Sequence, residues 1–151
     1  MIGTSKKLVY AIEAVLDIAY NSGGETVQSS AVSERQGIPR RYLEPVLQQL
    51  VRAGILRGVR GPRGGYRLAK ERRLITVGDI ARVVDAIEGG DGAGETQPRS
   101  DIGRKVVLPL CLQSREETLS RLDEITIEAL CQRARGTGVV SEALRRLDYS
   151  I

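Results

Sequence analysis

Between Arg57 and Arg67 the chain sets four arginines, four glycines and one proline within eleven residues. Glycine-rich turns expose backbone N–H groups and let another surface approach closely. Guanidinium groups add planar, permanently charged donors to the same space. A hairpin tip of this composition suits a phosphate backbone or a DNA groove better than a protein core. Arg60 and Arg63 flank Gly61-Pro62, and one of them is expected in a minor groove, whose narrow stretches concentrate negative potential. Arg57 and Arg67 sit lower on the strands, where phosphates are the expected neighbours.

A second cluster, Pro39-Arg40-Arg41-Tyr42-Leu43-Glu44, precedes an apolar stripe of Leu43, Val46, Leu47 and Leu50. The spacing predicts a helix to about Ala53, with Pro39 in its first turn, Leu43 inward, and Arg40, Arg41 and Glu44 outward. Arginine reads guanine bidentately and glutamate accepts from the cytosine amino group. The alternative is an ordinary charged helix face, which also describes Gln48, Gln49 and Arg52. Lys6 and Lys7, at the start of the first helix, are expected near a phosphate backbone.

The elements that must hold these groups follow from caps and periodicity. Thr4 or Ser5 caps a helix carrying Leu8, Ile12, Val15, Leu16 and Ala19, which ends near Asn21-Ser22-Gly23-Gly24. A short helix over 29–36 stops at Gly37, and the arginine-bearing helix follows; helix, turn with glycine, helix is the helix-turn-helix order. Ile55 to Val59 and Tyr66 to Ala69 read as two strands. Thr76 caps a fourth helix with Val77, Ile80, Val83, Val84 and Ile87. Residues 89–105 read as a polar, glycine-rich loop. A fifth helix from near Pro109 carries Leu112, Leu119 and Leu122, a stripe that fits core packing or, preferred here, a dimer interface. Thr126 caps a sixth helix through Arg133, and 139–151 has helical character. The expected fold class is mainly α with a small β-hairpin wing. It divides into a winged helix-turn-helix over 1–88, the loop over 89–105, and a dimerisation helix with C-terminal helices over 106–151.

Bulk properties narrow the function classes. With 3% aromatic residues, no Trp and no Phe, the chain lacks the stacking platform that reads single strands. Residues 1–75 carry 13 Lys/Arg against 6 Asp/Glu, and 76–151 carry 10 against 13, so +7 and −3 make the net +4. That split suits a nucleic-acid module joined to a second function, or a merely solvated basic face. Two cysteines do not form a disulfide framework, no apolar run reaches membrane-spanning length, and the start reads as no signal peptide, so a cytoplasmic location is expected. With no histidine, no nucleophile elbow and no Gly-Lys-Ser/Thr phosphate loop, catalysis is not expected.

Glu34-Arg35-Gln36-Gly37-Ile38, Tyr42-Leu43-Glu44, Val59-Arg60-Gly61-Pro62, Gly64-Gly65-Tyr66-Arg67-Leu68 and Val77-Gly78-Asp79-Ile80 resemble the winged-helix family of bacterial regulators that contains IscR, NsrR and CymR. The likeness covers about residues 4–88, and more weakly the fifth helix with Ile125-Thr126-Ile127. It implies a homodimeric transcription regulator, most readily a repressor, on a partly palindromic double-stranded operator. Arg41, Glu44 and Arg60 match base-contacting positions, and a long C-terminal helix crosses to the partner. The resemblance also implies three cysteines in the loop before the fifth helix, holding an iron–sulfur cluster. This chain has none there; Lys105 and Leu108 stand near the positions of the last cysteine and the histidine. No conventional cluster is expected. Cys111 is left as a buried small hydrophobe, a redox sensor or an atypical ligand shared across a dimer, and Cys131 as structural. CymR-like relatives without a cluster imply a further alternative, control by a partner metabolic enzyme.

Overall fold

Ser5 opens the first helix by accepting a hydrogen bond from the Leu8 N–H at 3.1 Å, the N-cap geometry that satisfies an otherwise orphaned donor. The computed structural model describes residues 5–90 and 97–149. Helix α1 (Lys6–Asn21) is followed by α2 (Ser29–Gln36), α3 (Arg40–Arg52), strands β1 (Leu56–Val59) and β2 (Gly65–Leu68), and a 3-10 turn at Arg72–Leu74. Then come α4 (Val77–Gly90), a π turn (Gly103–Val107) leading into α5 (Leu108–Asp123), α6 (Ile127–Gly136) and α7 (Glu142–Tyr149). The architecture is mainly α with a two-stranded antiparallel hairpin, the class expected from the sequence.

Helix α1 is the hub. Ala11, Ala14, Val15, Ile18 and Ala19 are buried, and their small side chains let α2, α3, α4 and α6 approach one helix. Leu43, Val46, Leu47 and Leu50 of α3 join them, as do Ile80 and Val84 of α4. Ile127 and Cys131 of α6 belong to the same core. They are brought there by paired backbone bonds, Val77 N–H to the Ile125 carbonyl at 2.8 Å and Ile127 N–H to the Ile75 carbonyl at 2.9 Å. Helix α6 therefore completes the winged-helix core and α7 folds back on α1, whereas α5 leans mainly on α4 and has no fully buried residue.

Within that core lies one carboxylate. Asp17 is fully buried at its side chain. Arg35 donates to its two oxygens at 2.9 and 2.7 Å, and Gln36 donates at 2.7 Å. Hydrogen bonding to Asp17 raises the already high Arg35 pKa, against a lowering by desolvation. The pair ties the middle of α1 to the end of α2, and so fixes the turn that launches α3.

Thr76 and Asp79 form the reciprocal cap expected at α4: Thr76 N–H donates to Asp79 at 3.0 Å and Asp79 N–H to Thr76 Oγ1 at 3.1 Å. Four boundaries here differ from the sequence reading. Pro39 stands just before α3 with extended ψ of 134°, as the N-cap rather than the first helical residue. The first strand begins one residue later than expected and ends at Val59 as expected, and the second is shifted one residue earlier at both ends, with Ile55 and Ala69 still joined by a 3.0 Å bond.

The larger difference is at α5, whose helix starts at Asp101 rather than near Pro109. Ser100 launches it, its hydroxyl accepting from Gly103 N–H and its carbonyl from Arg104 N–H, each at 3.0 Å. Proline in a sequence marks a helix start because it lacks an N–H. Here the helix passes through Pro109 by widening to a π turn, in which Leu108 N–H reaches back to the Gly103 carbonyl. Of the loop expected over 89–105, Gly89 and Gly90 close α4, 101–105 are helical, and 91–96 lie outside the described residues.

Removing the buried acceptor tests the α1–α2 tie. Asp17→Ala leaves Arg35 and Gln36 without their common partner and is expected to cost roughly 2–4 kcal/mol. Urea unfolding should show a lower midpoint at unchanged slope; a midpoint within error of wild type would rule out a structural role for the carboxylate.

Candidate nucleic-acid interface

The wing is a short ladder with Leu56 opposite Leu68, Arg57 opposite Arg67, Gly58 opposite Tyr66 and Val59 opposite Gly65. Leu56 faces the core and Arg57 the solvent. Two arginines directly across an exposed antiparallel pair repel one another, an arrangement that an anion relieves. The hairpin is extended by the segment before α2: Val27 and Tyr66 exchange both backbone bonds at 2.8 Å. Gly65 makes that approach possible, since a Cβ there would meet the Val27 carbonyl oxygen at 2.6 Å.

At the hairpin tip Arg60, Pro62 and Arg63 are all exposed. Among the described residues no carboxylate pairs with Arg41, Arg57, Arg60, Arg63 or Arg67. Several arginines elsewhere are matched: Arg35 to Asp17, Arg72 to Glu128, Arg82 to Asp123, Arg115 to Asp85 and Arg146 to Glu25. Arg82 even holds the Asp123 carboxyl below its usual range through hydrogen bonding. Arg52, Arg121, Arg133 and Arg135 also lack a carboxylate, but they are scattered over three helices, whereas the wing gathers four such guanidinium groups within eleven residues.

Helix α3 presents Arg40, Arg41 and Glu44 outward, as expected. Two contacts shape this face. Arg40 donates to Glu44 at 3.3 Å, an exposed i,i+4 pair that holds the glutamate beside a cation. Arg41 lies 4.8 Å above the Tyr42 ring, and Tyr42 is tilted against Tyr10 of α1 with centroids 6.4 Å apart. This aromatic pair brings the start of α1 next to α3, so that Lys6, Lys7 and Arg41 line one cavity of about 560 Å³ with Pro45, Val46, Gln49 and Ile87. Neither α1 nor α3 has an acidic residue in its first turn, so helix dipoles and cations add at this spot. Arg67, also exposed, donates from its guanidinium to the Gly24 carbonyl at 3.0 Å.

The chain matches, over residues 4–133, the family described as "Rrf2: Iron-dependent Transcriptional regulator". It belongs to the Rrf2 family. The family is one of transcriptional regulators, and the fold is the winged helix of its solved members. The HTH-type transcriptional regulator IscR of Escherichia coli O1:K1 / APEC is 45% identical over 76 residues, 50% of this chain and 47% of that protein. The chain thus spans about half the length of the curated relatives it matches. T. potens IscR superposes with a TM-score of 0.71 at 30% identity, covering 93% of both chains. CymR, the global cysteine regulator of B. subtilis, superposes at 0.67 with 27% identity, over 88% of this chain and 98% of that one.

The family description names iron, and the donor set here does not fit a conventional iron–sulfur cluster, which is held by thiolates. This Rrf2 member has two cysteines and no histidine. Cys131 is 1% exposed within the core, and burial is the main cause that pushes its thiol up, away from the thiolate form. Cys111 is exposed on α5 rather than a buried hydrophobe, and lines a groove of about 670 Å³ with Leu8, Val84, Leu110, Leu119 and Leu122. Among the described residues no three His, Cys, Asp or Glu side chains gather as a metal would need.

The facing arginines set stability against binding. Arg57→Gln is expected to raise the unfolding free energy by about 0.2–1 kcal/mol at low ionic strength, an effect that fades as salt screens it. Thermal unfolding at two salt concentrations checks this; a loss of stability at low salt would mean that the pair is not repulsive.

Proposed function

We propose that the chain acts as a homodimeric, sequence-specific repressor that reads a partly palindromic double-stranded operator in the cytoplasm. The observation that carries the reading is the set of carboxylate-free arginines on the wing and at the start of α3. Arg41 and Glu44 are assigned to base edges in the major groove, with Arg40 holding Glu44 in place. Arg60 is assigned to the minor groove, and Pro62, Arg63, Arg57 and Lys6 to the flanking backbone. Arg67 contributes positive potential while anchored to Gly24.

Helix α5 supports the dimer. Its 16 residues bury none of their side chains, yet Val106, Val107, Leu110 and Leu112 are exposed on it or on the π turn before it. A helix owes most of its stability to burying an apolar face, and a second copy supplies that cover. The interface assigned to Leu112 therefore extends to Val106, Val107 and Leu110. Leu119 and Leu122 are half-buried against α4 and contribute through that groove.

Two measurements test the reading. On duplexes that the protein itself selects from a random-sequence library, Arg41→Ala and Arg60→Ala should each cost roughly 1–3 kcal/mol of specific binding. Wild-type affinity should also fall steeply with salt. Unchanged affinity and base preference in Arg41→Ala would remove that residue from the interface. Anaerobically purified protein is expected to be colourless and iron-free, with equal DNA binding before and after oxidation. Bound iron, or binding that changes on oxidation, would instead make Cys111 an atypical ligand or a redox sensor.

A further inference from the structure

The segment Tyr20–Val27, between α1 and α2, is held from two sides. On one side stands α7. Ser141 is nearly buried and donates from its hydroxyl to the Tyr20 carbonyl at 2.8 Å, while Glu142 N–H donates to Asn21 Oδ1 at 2.9 Å. Arg146 donates to Glu25 at 2.7 Å and to the Asn21 and Ser22 carbonyls at 2.9 and 3.1 Å. The helix sits so close that a Cβ on Gly23, which has φ of +56°, would lie 2.8 Å from the Ala143 Cβ. Tyr20 also donates its hydroxyl to the Val139 carbonyl.

On the other side stands the wing. Thr26 Oγ1 donates to the Arg63 carbonyl at 2.6 Å, at the hairpin tip. Arg67 donates to the Gly24 carbonyl at 3.0 Å, and Val27 pairs with Tyr66. Beside the packing of Tyr66 and Leu68 on the core, the hydrogen bonds described on this side of the wing end on Gly24, Thr26 and Val27, next to the carbonyls and carboxylate that α7 grips. Glu142 and Arg146 form one wall, and Pro62, Arg63 and Arg67 the other, of an open groove of about 840 Å³, so the coupling runs through the shared turn beneath it.

We propose that α7 is a positioning element for the wing, with Arg146 as the positioning residue: docking of the C-terminal helix fixes the Tyr20–Val27 turn, and the turn sets where the wing tip meets DNA. The proposal rests on the reading that Arg60 of the wing contacts DNA. Three hydrogen bonds from one guanidinium to the turn hold it in a single geometry, and Thr26 passes that geometry to the backbone of Arg63. Loosening α7 leaves the hairpin paired but lets its tip swing, so that binding weakens through the wing alone and the contacts of α3 persist.

The test is a double-mutant cycle in the full chain, on a duplex selected by the wild-type protein from a random-sequence library. Arg146→Ala is expected to weaken binding roughly three- to tenfold in the wild-type background and less than about twofold in Arg60→Ala, the non-additivity of residues in one network. Arg146→Lys, which keeps the charge but not the planar fork, should restore binding only in part. Thr26→Val cuts the same path from the wing side. It should reproduce the loss and add little to Arg146→Ala, which covers the case in which the arginine variant folds poorly. Equal losses with and without Arg60, or no loss in either single variant, would overturn the positioning role while leaving DNA binding intact. A wild-type chain that selects no duplex would remove the wing reading, and the proposal with it.

Discussion

Asp17 is a carboxylate without access to water, and the helix-turn-helix is arranged around the donors that engage its oxygens. Taking an ionised carboxylate into a core costs several kcal/mol unless its oxygens are fully engaged. Arg35 and Gln36 engage both. Because those partners lie at the end of α2, the turn at Gly37 and the launch of α3 are fixed relative to the hub helix. A purely apolar contact at this point would tolerate sliding; a forked guanidinium on two oxygens does not. The angle at which α3 presents Arg40, Arg41 and Glu44 is thus set by an ion pair inside the body of the domain. The same α1 segment carries the constraint onward, since Asn21 donates to the Asp17 carbonyl at 3.0 Å and accepts from α7.

Much of this was legible in the sequence, for identifiable reasons. Helices α1 and α4 announce themselves through apolar spacing and local caps, which are properties of neighbouring residues, α3 through apolar spacing, and α2 through the Gly37 that ends it. The Ser5 and Thr76 caps, and the Thr126 cap donated to by Ala129 N–H at 3.0 Å, all stand where hydroxyl residues precede an apolar period. The wing was legible because glycine, proline and arginine at such density have few other uses. What escaped was non-local or depended on an exception. Pro109 has the signature of a helix start, and only the π turn ahead of it lets the helix continue. Arg67 and Arg63 differ in role because Gly24 and Thr26 come within reach, which spacing cannot show. Helix α7 was visible as helical character, but its docking on the α1–α2 turn depends on Gly23 and Ala143, 120 positions apart in the chain.

Helices α5 and α6 show two uses of a C-terminal extension. Helix α6 is built into the domain, its Ile127 wholly buried and its first backbone bonds made to the residues that precede α4. Helix α5 touches the domain through half-buried Leu119 and Leu122 and through exposed ion pairs, Arg82 with Asp123 and Arg115 with Asp85, which contribute little on their own. A helix anchored this lightly keeps the apolar side chains of its first half exposed. The position of Cys111 follows from this division. It sits on the helix that the domain does not bury, and Cys131 on the one that it does, so the two thiols differ in access although their sequence contexts look alike.

The wing concentrates the opposite kind of unfavourable arrangement. Facing Arg57 and Arg67, with carboxylate-free Arg60 and Arg63 above them, spend stability that the free protein does not recover. One acidic residue opposite either strand would relieve the repulsion, as Asp123 and Glu128 do for arginines elsewhere. Local conflicts of this sort mark functional surfaces, and here the conflict is held in place rather than relaxed. Arg67 is drawn back to Gly24, the tip is tied by Thr26, and the whole hairpin is stitched to Val27. Charge is kept high and mobility low at the same time. A flexible arginine loop would gain affinity for any polyanion, whereas a hairpin braced against α1 and, through the turn, against α7 can discriminate between groove geometries.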